Sequence, residues 1–158
     1  MGGTFFLTLV ALFVLAAVQV DKSVGFPKFL SEPFNIFLSV PLLAAGLFLM
    51  LWSVFHFVKA KGTPVPLNPP PKLVTAGPYA YVRNPMLSGV FILLFGLGIL
   101  SNSLSLTFIF TPLFILVTVL ELKAIEEPEL EKRLGEEYVE YRNRVPMFFP
   151  RLWVRTKK

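Results

Sequence analysis

Residues 73–89 read LVTAGPYAYVRNPMLSG, and they stand between a proline-loaded polar loop and a long apolar run. Two tyrosines, an arginine, an asparagine and two prolines make a costly start for an apolar helix. That helix is one of four apolar blocks in the chain. Residues 4–20 carry no charge, and residues 36–58 are interrupted only by Ser39, Pro41, Ser53 and His56. Residues 86–100 and 104–123 come next, joined by the polar turn Ser101-Asn102-Ser103. About 20 apolar residues span the hydrocarbon core of a bilayer as a helix. The second block meets that length easily and the third is the shortest.

A hydrophobic content of 54% lies above the roughly 45–50% of ordinary soluble domains. The expectation is therefore an all-α integral membrane protein with about four transmembrane helices and a C-terminal amphipathic helical tail. It forms one domain over residues 1–158, with loop 59–85 and tail 124–158 outside the bilayer. The first block lacks the basic leader and the small-residue cleavage site of a signal peptide, so it is expected to remain as a span.

Charge sets the orientation. Loop 59–85 holds Lys59, Lys61, Lys72 and Arg83 with no acid, and the segment from Lys123 onward carries nine basic residues. The turn at 101–103 has none. By the positive-inside rule both termini and loop 59–85 are cytoplasmic, and in a prokaryote the membrane would be the inner one. The net charge of +5 then reflects topology and attraction to anionic lipid headgroups. Nucleic-acid binding is not expected, since the chain offers no soluble basic face. Without cysteine there is no disulfide or thiolate chemistry, and a single histidine, His56, excludes paired-histidine metal sites; no metal is expected. His56 reads as interfacial packing, with catalysis as the alternative, and Asn102 as a turn or cap residue.

Two segments remain for chemistry. The loop is rich in proline, which fixes the backbone, yet Leu73, Val74, Tyr79, Tyr81 and Val82 would be costly to leave in water. It is expected to pack rather than to act as a spacer. In the tail, Pro128 calls for a kink or a restart of the helix after the fourth span. Beyond it Leu130, Leu134, Tyr138, Tyr141 and Val145 recur at helical spacing, with acidic and basic residues on the other face. The closing PMFFPRLW, with Arg151, Trp153 and Arg155, reads as an interfacial anchor.

These two segments carry a family resemblance. Gly77, Pro78, Tyr79, Arg83, Asn84, Pro85 and Gly89 match a G-P-Y-x-x-x-R-[HN]-P-x-Y-x-G pattern. Glu126, Glu127, Leu130, Leu134, Gly135, Tyr138 and Tyr141 match E-E-x-x-L-x-x-x-[FL]-G-x-x-Y-x-x-Y. Over residues 62–150 the chain resembles the prokaryotic branch of the isoprenylcysteine carboxyl methyltransferase family, within the wider group that includes phospholipid methyltransferases. Asn84 stands where eukaryotic members have histidine, and Leu87 replaces a tyrosine. Asparagine hydrogen-bonds but does not titrate.

The resemblance implies S-adenosylmethionine as methyl donor and a lipophilic small molecule or membrane lipid as acceptor. An isoprenylcysteine-like carboxylate, a phospholipid amine and a small thiol are the three candidate acceptors. The residues implied in donor binding are Gly77, Pro78, Tyr79, Tyr81, Arg83, Asn84, Pro85, Gly89, Glu126, Glu127, Tyr138 and Tyr141. Arg83, Glu127 and Arg144 are the implied catalytic residues. The carboxylates suit the donor's ribose or cationic groups, the tyrosines suit its adenine, and Arg83 suits a carboxylate. A carboxylate acceptor needs alignment and exclusion of water rather than a base, whereas an amine or thiol gains from one, such as Glu127 or His56. Two other functions fit the same helices. A membrane reductase of the steroid-reductase type is similar in its closing helices and would use NADPH, and a non-catalytic membrane subunit would bind neither ligand.

Overall fold

The structure is a computed structural model that describes residues 2–60 and 73–150, without the side chains of residues 2–7 and 9. The prolines between residues 64 and 71, and the anchor residues Arg151, Trp153 and Arg155, lie outside the described residues. All regular structure among the described residues is helical. Helix α1 spans Gly2–Val24, α2 Phe34–Lys59 and α3 Pro85–Leu100. A long helix α4 covers Leu106–Leu134, and α5 spans Glu136–Arg144. One short 3-10 turn, Gly77–Ala80, lies between α2 and α3.

Among the described residues two helices, α2 and α4, are long and apolar enough to cross a membrane, and only 17% and 11% of their apolar windows are buried inside the protein. Core helices of a soluble protein would be mostly covered. Instead Phe37, Phe48, Leu51 and Phe55 on α2, and Leu113, Leu116, Val117 and Leu120 on α4, point outward. That much exposed hydrocarbon suits lipid as solvent, and helices satisfy their own backbone groups there. The apolar α3 is shorter, as its sequence requires.

Lipid gives helices no hydrophobic reason to associate, so close contact must supply it. Helices α2 and α3 meet along glycine. A Cβ on Gly89 would lie 2.8 Å from the Gly46 carbonyl oxygen, and a Cβ on Gly46 would lie 2.8 Å from that of Gly89. Gly96 repeats the arrangement against Leu43, two turns further along α3. A small core of Ala17, Val90, Leu94 and Leu106 then joins α1, α3 and the start of α4.

The end of the bundle that carries the 101–103 turn is tied by polar side chains. Asp21, at the end of α1, accepts from the Ser103 hydroxyl and, at 2.9 Å, from the backbone N–H of Ser105. It thereby caps the start of the fourth helix with a carboxylate from another helix, where free N–H groups and the dipole favour an anion. Asn102, with φ 54°, accepts from the Leu30 N–H at 2.9 Å and donates to the Leu30 carbonyl at 3.1 Å. A turn residue thus also clasps the first loop.

Two boundaries differ from those read in sequence: the fourth helix does not end near residue 123, and the tail is not one amphipathic helix. At Pro128 the expected kink or restart takes the form of a wide turn just ahead of it, within a helix that continues. The reason is local. Proline has no N–H and its ring presses on the carbonyl four residues back. Before Pro112 and again before Pro128 the helix widens into a π turn, Leu106–Phe110 and Leu122–Glu126, with Thr111 N–H bonded to the Leu106 oxygen and Glu127 N–H to the Leu122 oxygen. Each wide turn absorbs the proline, so the helix continues to Leu134. The true break is Gly135, whose φ of +61° is open to glycine and strained for other residues. It folds α5 back, and Leu130, Leu134, Tyr138, Tyr141 and Val145 meet in a cluster instead of forming one straight stripe.

Replacing Gly89 by leucine is expected to destabilise the detergent-solubilised protein by about 1–3 kcal/mol through overpacking, read as a lower Tm. Leucine at the outward-facing Ala44 serves as the control and should leave Tm unchanged. Equal Tm values for the two variants would show that the glycine contact does not hold α2 to α3.

Candidate functional site

The two sequence motifs meet at the end of the bundle opposite the Asp21 cap. Gly77 opens the 3-10 turn with φ +62°, and Pro78 occupies its first turn. Val82 and Tyr79 turn inward while Tyr81, 63% exposed, points out. Tyr79 rests on Phe57 of α2 with ring centroids 6.0 Å apart. Asn84 then precedes α3 and Pro85 is its first residue, the position where a missing N–H costs nothing.

The tail closes over this segment through its backbone. Arg83 N–H donates to the Pro146 carbonyl at 2.8 Å and Asn84 N–H to that of Met147 at 3.1 Å. The Ser88 hydroxyl donates to the Asn84 carbonyl at 3.0 Å and reaches the Phe148 carbonyl at 3.5 Å. Phe148 packs on Phe91 of α3, 5.1 Å between centroids. The PMFFP segment, an anchor by composition, is here a strap that satisfies the backbone N–H groups of Arg83 and Asn84.

At the centre, the Arg83 guanidinium pairs with the Glu127 carboxylate, their side chains 12% and 15% exposed. The π turn at Leu122–Glu126 precedes Glu127 directly, and one extra residue in a turn rotates the next side chains about the helix axis by about 100°. Arg83 also reaches the Tyr138 hydroxyl at 3.4 Å, while its Nε is buried without a partner among the described residues. Tyr141 donates to the Tyr79 carbonyl at 2.7 Å. Burial raises the phenol pKa of Tyr79, reinforced by Tyr141 and Glu126. It does the same for Tyr138 and Tyr141, with Arg83 opposing the shift in both. All three are therefore neutral hydrogen-bond donors at physiological pH, not phenolates.

The remaining predicted residues are spread around this centre. Glu126 is exposed beside Glu127, and the Asn84 side chain makes no hydrogen bond to the described residues. Gly89 sits in the α2–α3 seam against Gly46. Arg144 is exposed near Tyr141. Tyr79, Tyr138 and Tyr141 are buried in the packing of this end, so Tyr81 is the one tyrosine with an open ring. Arg83 and Glu127, each assigned by the resemblance to a ligand group, face one another.

Sequence reasoning gave His56 mainly a packing role. In the structure its ring lies against Gly77, where any Cβ would overlap its Nε2 edge. His56, Lys59, Leu73, Val74 and Thr75 line a cleft of about 340 Å³. Leu73 backs onto the Tyr138–Tyr141–Val145 cluster, so the cleft adjoins the motif on its α2 side. The glycine of G-P-Y was the available signal, since a motif glycine with no ligand contact implies close approach by something.

An all-helical bundle with long lipid-facing helices and a polar site at one end defines a membrane-protein architecture. Residues 34–137 match the family described as phospholipid methyltransferase. That is well over half of the chain, and the chain belongs to this family. The nickel-cobalt-cadmium resistance protein NccN of Alcaligenes xylosoxydans xylosoxydans is 32% identical over 102 residues, 65% of this chain and 43% of that relative. The chain thus spans less than half the length of the curated relative it matches. No solved structure matches it.

Arg83→Ala is expected to cost about 3–5 kcal/mol, because it strands the Glu127 carboxylate in a mostly covered site. Arg83→Met combined with Glu127→Leu should recover most of that loss, as apolar replacement of a covered ion pair often does. Thermal unfolding in detergent reads both. A double variant no more stable than Arg83→Ala would mean that the charges are needed as charges.

Proposed function

We propose that the protein is an S-adenosylmethionine-dependent methyltransferase that works at the membrane face on a lipophilic acceptor. Family membership supports methyl transfer. The observation that carries the reading is the Arg83–Glu127 pair, which joins the two motifs and keeps donors in reserve. An orphaned, buried Arg83 Nε beside a neutral Tyr138 fits the carboxylate end of the methyl donor, which a guanidinium binds well. Glu126 and Glu127 suit its ammonium or ribose hydroxyls, and the free Asn84 amide suits a purine edge. When bound, the donor supplies an electrophilic methyl group on a sulfonium sulfur. The chain's part is to hold the reacting groups in line and to keep water away from them.

The acceptor in this reading enters from the lipid and carries a carboxylate, an amine or a thiol at its headgroup end; a carboxyl O-methyl transfer to an isoprenylcysteine-like group is one such reaction. The site and both termini are assigned to the cytoplasmic face, with four spans, on the loop charges. The metal resistance named for NccN is not transferred to this chain.

Labelled S-adenosylmethionine is expected to bind the purified protein, and NADPH is not. Glu127→Gln should weaken donor binding at least tenfold by calorimetry, since it removes one charge from the pair; unchanged affinity sinks the assignment of Glu127. NADPH binding in place of the methyl donor would favour the reductase reading, and binding of neither would favour a non-catalytic subunit.

The chain has no cysteine, so single cysteines report topology cleanly. An impermeant maleimide added to intact cells should label Lys28→Cys and spare Arg144→Cys, with the reverse pattern in inside-out vesicles. Labelling of both from one side overturns the four-span orientation.

A further inference from the structure

The centre of the site is covered. Arg83 Nε is buried without a partner among the described residues, so a carboxylate from outside reaches it only after part of the cover moves. Four pieces of chain meet there, and they are held unequally. Glu127 stands on a helix that continues from Leu106 to Leu134. The 3-10 turn is seated by buried Pro78 and Tyr79. Helix α5 is fixed by buried Tyr138 and Tyr141, by the Tyr141 bond to Tyr79 and by an Arg142–Glu131 ion pair at 2.7 Å.

The fourth piece, residues 146–149, has much less. It has no regular structure, and Phe149 at its end is 85% exposed. Its ties are the backbone bonds from Arg83 and Asn84, the Ser88 hydroxyl at 3.5 Å and the Phe148 ring on Phe91. Its own side chains are all apolar. Lifting it strands no charge, and water can take over the two N–H groups it releases. Segments with few buried contacts open before the rest of a fold.

We propose that residues 146–149 are the lid of the site. Phe148 leaves Phe91, the strap lifts off Arg83 and Asn84 while α5 stays in place, and Arg83 Nε opens to a carboxylate. The pivot is the junction after Val145, whose side chain remains in the α5 cluster. That the incoming carboxylate is the methyl donor's rests on the methyltransferase reading above; the movement does not. Closed again, the lid keeps water from the reacting groups.

The test is hydrogen–deuterium exchange of the full-length protein in nanodiscs, resolved amide by amide. The Arg83 and Asn84 amides report the lid, and the Val82 amide, bonded to the Pro78 carbonyl, reports the loop beneath it. Phe148→Ala is expected to speed exchange at Arg83 and Asn84 at least about fivefold and to leave Val82 within about twofold. Phe149→Ala, which removes an exposed ring, should change none of the three. Saturating S-adenosylmethionine should slow Arg83 and Asn84 in the wild type at least about tenfold. Unchanged exchange in Phe148→Ala, a rise that includes Val82, or an equal rise in Phe149→Ala overturns the lid.

A clamp gives a second measurement. The chain has no cysteine, so Phe91→Cys with Phe148→Cys can be joined by a short bis-thiol crosslinker. Labelled S-adenosylmethionine should bind the clamped protein at least about tenfold more slowly than the same variant before clamping. An unchanged binding rate overturns the proposal. Failure of the wild type to bind S-adenosylmethionine at all would instead overturn the methyltransferase reading, with the exchange in Phe148→Ala still deciding whether the strap lifts by itself.

Discussion

The contact between Arg83 and Glu127 organises this molecule. It joins a loop residue at the start of α3 to a helix residue 44 positions later, and it does so in a site largely closed to water. Two charges brought out of water lose hydration that only close pairing and further hydrogen bonds restore. Everything around the pair acts to provide them. The strap at residues 146–148 bonds the backbone of Arg83 and Asn84, Tyr138 reaches the guanidinium, and Tyr141 fixes the turn that carries the motif. Remove the pair and three chain segments lose their common reference.

The other end of the bundle has a different design. Asp21 caps a neighbouring helix and Asn102 clasps a loop, and between the two ends glycine brings α2 against α3. These contacts are polar at the surface and close-packed within. They leave α2 and α3 as a stiff pair, from whose ends the motif loop departs and returns. The cleft beside His56 is lined by the end of α2 and by residues 73–76, where the ring packs on Gly77.

Much of the helical framework was legible in the sequence because apolar blocks and breaker residues are local signals. The first three helices fall within a few residues of the blocks, and the family match covers both motifs apart from Tyr138 and Tyr141. What escaped depends on geometry that a linear reading cannot carry. Pro128 was read as a kink or a restart, but the rule for proline in a helix does not foresee the wider turn just ahead of it that lets the helix continue. Leu130, Leu134, Tyr138, Tyr141 and Val145 kept the spacing of one helix while Gly135 bent the path between them. Arg83 and Glu127 were each given to a ligand, since nothing in their positions 44 residues apart announced that they would meet. His56 was the hardest, being one residue in an apolar run whose meaning depends on a glycine at the far side of the proline-rich loop.

The two wide turns in α4 have a consequence for how such a helix can vary. A regular helix is a rigid screw, and rotating one end to suit a thicker or differently packed bilayer would swing the other end by the same angle. Here the turn at Leu122–Glu126 acts as a coupling between a lipid-facing shaft and the carboxylate head beyond it. Leu113, Leu116 and Val117 face outward on one side of that turn, and Glu127 faces Arg83 on the other. One helix thereby answers to two solvents, with the adjustment between them made in a single turn.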